Sequence, residues 1–131
     1  MTATIALVTY LVRDYDEAIA WFRDALGFAL IEDSVQGGDK RWVVMAPSQR
    51  MGTRFLLAKA GTPEQSSFIG KAAGTRVAFF LHTSDFASLH ARMTGAGVRF
   101  LESPRHETYG TVAVFEDLYG NRWDLLEPKA V

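Results

Sequence analysis

"YGTVAVFEDLYGNRWDLLEP", residues 109–128, reads as two runs of strand-forming residues joined by a tight turn, with Asp124 in the middle of the second run. Its last part, "NRWDLLEP" (121–128), lies over "TRFLLAKA" (53–60) when the two halves of the chain are superposed. Arg122 then falls on Arg54, Trp123 on Phe55, and Asp124 on Leu56. Self-similarity at about half the chain length means two copies of one supersecondary unit. The fold follows from that duplication.

Working outward, "TIALVTYLV" (4–12) is apolar and β-branched, and reads as a strand. In "RDYDEAIAWFRDALGF" Asp14 is placed as N-cap with Glu17 three residues on. Ala18, Phe22, Ala25 and Leu26 follow at helical spacing, and Gly27 stops the helix. "ALIEDSV" (29–35), "RWVVMA" (41–46) and "TRFLLAKA" (53–60) are three strands. "GTPEQSSFIGKAAG" (61–74) is linker-like. The pattern then restarts with strand "TRVAFFLH" (75–82) and helix "TSDFASLHARMTGAG" (83–97), whose Phe86, Leu89 and Met93 share a face. "VRFLE" (98–102), "YGTVAVFE" (109–116) and "NRWDLLE" (121–127) complete it. The order β-α-β-β-β therefore occurs twice. The expectation is an α+β fold of two such modules (1–60 and 75–131) in a single domain, with curved mixed sheets forming a cavity.

Composition sets limits. The 131 residues are 48% apolar and 22% charged, enough for a real core. A net charge of −1 draws the chain to neither nucleic acid nor an anionic membrane. Cysteine is absent, which removes disulfides, thiolate metal sites and thiol nucleophiles. No apolar run reaches the roughly 18 residues of a spanning helix, and the N-terminus lacks signal-peptide character. A cytoplasmic protein is expected. No Gly-rich phosphate loop or G-x-S-x-G elbow occurs.

Alternation along strands puts Asp124 on one face with Arg122 and Leu126, leaving Trp123 and Leu125 underneath. By the same rule Arg76 goes with Ala78 and Phe80, and Leu56 with Arg54 and Ala58. The three histidines, His82, His90 and His106, show no His-x-His or His-x-x-x-His spacing. The segment "ESPRHETYG" (102–110) offers Arg105, His106, Glu107 and Tyr109. A His beside a Glu suits acid–base work, though the plainer reading is a solvated loop. Trp42 and Trp123 are either core or stacking surfaces for a planar ligand.

The paired modules, with "LVRDYDEAIAWFRDALGF" and the D-x-x-G-N-x-W-x-L ending, resemble the vicinal oxygen chelate superfamily over nearly the whole chain. That group holds glyoxalase I, bleomycin-resistance proteins, fosfomycin-resistance enzymes and extradiol dioxygenases. The resemblance implies a divalent metal held by side chains of each module's first and last strands. Those positions correspond here to Leu7, Leu56, Arg76 and Asp124, so one donor survives of four. It also makes Arg76 and Asp124 neighbours, either a structural pair or a ligand site. The expectation is a metal-independent binder of a small organic molecule, without cofactor, and a homodimer as in bleomycin-resistance proteins. Its ligand residues are Arg76, Asp124, His106, Glu107, Tyr109, Arg54, Arg122 and Trp42. The alternative is a metal-dependent lyase, isomerase or dioxygenase with non-standard ligands such as Asp124, Glu107 and His106.

Overall fold

Alternating burial begins with the first strand, β1 (Leu7–Val12), in the computed structural model, which describes residues 1–130. Tyr10 and Val12 are buried while Leu7 and Thr9 stay exposed. Val131, the last residue expected in the second module, lies outside the described residues. The chain divides into two compact units, Met1–Ile69 and Gly70 onward, so the division falls inside the linker-like segment.

In the first unit, helix α1 (Tyr15–Leu26) starts and stops where its caps dictate. The Asp14 carboxylate accepts from the Glu17 backbone N–H at 2.8 Å. Gly27, at φ 73°, takes the left-handed conformation that ends the helix. Ala18, Phe22, Ala25 and Leu26 are all buried, the stripe that the spacing foretold. Strands β2 (Ala29–Gly37), β3 (Lys40–Ala46) and β4 (Arg54–Lys59) complete a sheet of order β1-β4-β3-β2. Its outer strand β1 runs parallel to β4, with Leu7 opposite Arg54 and Thr9 opposite Leu56. Phe22 anchors the face under the helix. Its ring centroid lies 5.1 Å from Tyr10, 5.3 Å from Phe28 and 6.0 Å from Phe55. A short helix, α2 (Pro63–Ser67), capped by Thr62, occupies part of the linker-like stretch.

The second unit repeats the plan with β5 (Val77–His82), α3 (Phe86–Gly95), β6 (Arg99–Phe100), β7 (Arg105–Glu107), β8 (Gly110–Glu116) and β9 (Arg122–Pro128). The order is β5-β9-β8-β6, with β7 also on β8 and β5 parallel to β9. Trp123 packs under the sheet, 4.8 Å from Phe79 and 5.6 Å from Phe115 between ring centroids. The turn before it is built on the buried Asp117. That carboxylate accepts from the Tyr119 N–H at 3.0 Å and the Trp123 indole N–H at 2.9 Å. It also accepts from both the backbone and the side-chain N–H groups of Asn121, each at 3.0 Å.

The strand expected over 98–102 shrinks to two residues, and part of the expected loop becomes β7. Ser103-Pro104 explains both changes, because proline has no N–H to give to a ladder. Glu102 instead turns its carboxylate onto the Val114 N–H at 2.9 Å, a side chain standing in for a strand. No helix of the described residues is long and apolar enough to cross a membrane.

Candidate functional site

One face of the first sheet lies under α1, and the other is open. Alternation sends Leu7, Leu56 and Val44 to the open face, where Leu56 is opposite both Thr9 and Val44. Trp42, two residues before Val44, shares that face and remains 37% exposed. It divides two concavities. The larger, of about 820 Å³, is floored by Leu7, Ile31, Trp42 and Val44, with Arg50, Arg54 and Glu32 on its walls. The smaller, of about 490 Å³, runs from Trp42 past Leu56 and Ala58 to Gln65.

The hairpin that presents Trp42 is tied down next door. Arg41 bonds the Asp33 carboxylate at 2.7 Å and that of Asp16 at 3.0 Å, and its guanidinium sits 5.1 Å from the Tyr15 ring centre. The hydrogen bond from Arg41 holds the Asp33 carboxyl below the usual carboxylate range. Trp42 therefore stands on a braced strand.

In the second unit the open face of β9 carries Asp124, half-buried, beside Phe80 on β5 and Val114 on β8. The expected Arg76–Asp124 pair does not form. Arg76 lies ahead of β5, exposed, and no ion pair joins it to Asp124 among the described residues. The reason is an irregularity in β5: Val77 is opposite Arg122 but Phe79 is already opposite Trp123, so Ala78 is an extra residue. Counting back along the sequence assumes unbroken register, and the bulge moves the matching position off Arg76. Val77 takes the place across from Arg122 that Leu7 holds across from Arg54.

The cation whose field reaches Asp124 is Arg105. It is already engaged, at 2.9 Å to Glu102 and 2.9 Å to Glu107, with Tyr109 also bonded. These bonds, that of Glu102 first, raise the Arg105 pKa. The Asp124 carboxylate makes no hydrogen bond among the described residues. Burial pushes its carboxyl above the ordinary 3.8, against the lowering effect of Arg105.

A sign follows for stability. The fold disfavours the Asp124 anion, so this group's contribution to stability is fully present below the ordinary carboxylate range and is lost as pH rises through the raised value, opposite in sign to that of Asp33. Asp124→Asn is expected to melt at or slightly above the parent at neutral pH, with the gap closing below the ordinary carboxylate range. Thermal melts across pH check this. A clear advantage for the parent at pH 7 would mean that a partner stabilises the anion.

His106 and Glu107 do not join as an acid–base pair. Neighbours on a strand face opposite ways. Glu107 is bonded to Arg105, while the His106 Nδ1 lies 3.3 Å from the Thr111 hydroxyl. Arg122 is exposed and donates to the Thr75 carbonyl at 3.1 Å. His90 stacks between Phe86 and Phe100, at 5.3 Å and 4.2 Å between centroids, flanking the core. Of the expected ligand residues, Trp42 and Arg54 share one concavity, and Asp124 and Tyr109 both reach the Arg105 cluster. Arg50, Ile31 and Glu32 were not foreseen. Arg50 sits in an irregular loop whose course no periodicity encodes, while Ile31 is the extra residue of a bulge in the edge strand β2, between Leu30 and Glu32, where alternation breaks.

The metal that the sequence resemblance implies needs about three converging donors. Among the described residues no group of three or more His, Asp or Glu side chains is so placed. Leu7, Leu56 and Val77 supply none, so this donor set does not fit a divalent ion.

Comparison with known proteins supports the architecture. The family model described as Glyoxalase/Bleomycin resistance protein/Dioxygenase superfamily matches residues 4–125. An uncharacterized protein of Shewanella frigidimarina (strain NCIMB 400) is 51% identical over 128 residues, covering 97% of this chain and 95% of its own. The crystal structure of UcmS2 matches with a TM-score of 0.80 at 31% identity, over 97% of this chain and 99% of that one. TnmS3, an antibiotic binding protein from Streptomyces sp. CB03234, matches with a TM-score of 0.74 at 25% identity, over 98% of each chain.

Proposed function

This chain belongs to the Glyoxalase/Bleomycin resistance protein/Dioxygenase superfamily, and from that premise we propose a metal-independent protein that binds a small organic molecule without transforming it. The observation that carries this reading is the open face of the first sheet. Hydrocarbon side chains, Leu7 and Leu56, stand where the resemblance implies metal donors, beside an exposed Trp42 and a concavity of about 820 Å³. A volume of that size suits a drug-sized ligand, and a mostly apolar lining with few polar groups suits non-covalent capture. Likeness to TnmS3, an antibiotic binding protein, supports a natural product of antibiotic type as the ligand. The proposal includes a homodimer, supported by exposed apolar side chains such as Leu7, Trp42 and Phe80 on the open faces.

The test begins with protein dialysed against a chelator and then assayed for metal. A thermal-shift screen of aromatic acids, thiols and antibiotics follows, in which a true ligand at 100 times its Kd adds about 2.7 kcal/mol. Trp42→Ala is expected to weaken that ligand about ten-fold or more, since a stacked aromatic contributes on the order of 1–3 kcal/mol. Stoichiometric metal surviving dialysis, or turnover of the ligand abolished by the chelator, would overturn the proposal. Sedimentation of the purified protein checks the dimer.

A further inference from the structure

We infer that the ligand of this face carries an anionic group, read by Arg54 and Arg50, while its apolar body lies over Trp42; this rests on the binding role just proposed. The first unit has five arginines, and their partners divide them sharply. Arg13 meets Glu17, Arg23 lies 3.3 Å from Asp24, and Arg41 lies 2.7 Å from Asp33. Arg50 and Arg54 have no carboxylate within ion-pair distance among the described residues, and both line the larger concavity. The arginines that lack a counter-charge are the two beside the cavity.

Their placement gives the ligand a direction. Arg54 opens β4 directly opposite Leu7, so its guanidinium rises from the apolar floor's edge. Arg50 comes from the loop just before it, so both charges stand at one end. The Arg54 guanidinium gives one hydrogen bond, to the Gln49 carbonyl at 3.3 Å, which leaves most of its five donors available. The single acid of the lining, Glu32, already accepts from the Ser34 hydroxyl at 3.2 Å. Trp42 and Val44 continue the floor away from the arginines. A planar molecule stacked there would turn a carboxylate, sulfonate or phosphate toward the guanidiniums, the acceptors that a planar fork matches best.

Two fluorescent probes separate charge from stacking: anilinonaphthalene sulfonate, and phenylnaphthylamine, which lacks the sulfonate. The parent protein is expected to bind the sulfonate about ten-fold tighter, roughly the worth of one charge-assisted hydrogen bond. That preference should shrink as salt rises. Arg54→Met with Arg50→Met should abolish it and leave phenylnaphthylamine unchanged. Arg54→Lys, which keeps the charge, should retain part of it. Trp42→Ala should weaken both probes. Equal affinities, unmoved by the arginine variants but lowered by Trp42→Ala, would overturn the anion reading and leave the binding role standing. Binding indifferent to Trp42→Ala would remove both.

Discussion

Asp117→Ala is expected to remove about 3 kcal/mol or more of stability, read as an earlier midpoint in urea with an unchanged slope. Asp117 is 6% exposed, and its carboxylate accepts at least four hydrogen bonds, from Tyr119, Asn121 and Trp123. Truncation takes the Asp117 acceptor from the Trp123 indole N–H and the Asn121 side-chain amide in a place that water reaches poorly. An unsatisfied buried donor costs on the order of 1–3 kcal/mol. Asp117→Asn keeps the shape but turns one acceptor into a donor facing N–H groups, so it should fall between alanine and the parent. A loss under about 1 kcal/mol for alanine would mean that solvent replaces the carboxylate, and the turn would not depend on it.

Phe22→Ala is the other large effect, expected at about 3–5 kcal/mol. Phe22 is fully buried and contacts rings from β1, β4 and the segment after α1, so its loss opens a void that several elements share. Phe22→Leu should recover much of the loss, because it restores volume without the aromatic edges. A urea melt of each variant checks both values. If alanine costs no more than leucine, the surrounding rings have collapsed into the space.

Both residues lie in stretches where the sequence was most informative. Period and caps foretold α1: Asp14, Gly27 and the Phe22 stripe all stand as read, and the β-α-β-β-β order recurs, with the short β7 added in the second unit. The overlay of "TRFLLAKA" on "NRWDLLEP" was also sound, since β4 and β9 occupy matching places beside β1 and β5. Legibility failed where local periodicity breaks. The extra residue at Ala78 cannot be seen in "TRVAFFLH", and it displaced Arg76 from the position assigned to it. Proline at 104 cut a strand short and let Glu102 and Arg105 gather near Asp124, a long-range outcome. Trp42 was an ambiguous strand aromatic until the open side of its sheet became visible. Arg50 became a candidate only once the loop had a shape.

One edge strand of each sheet is its first in sequence, and it is zipped alongside the last. On the ribosome this ordering sets a timetable. Leu7 emerges long before Arg54, its opposite number, so β1 must wait, uncommitted, while α1, β2 and β3 are made. The same delay recurs between Val77 and Arg122. Neither closure borrows a strand from the other half, so a nascent chain can finish the first before the second has begun.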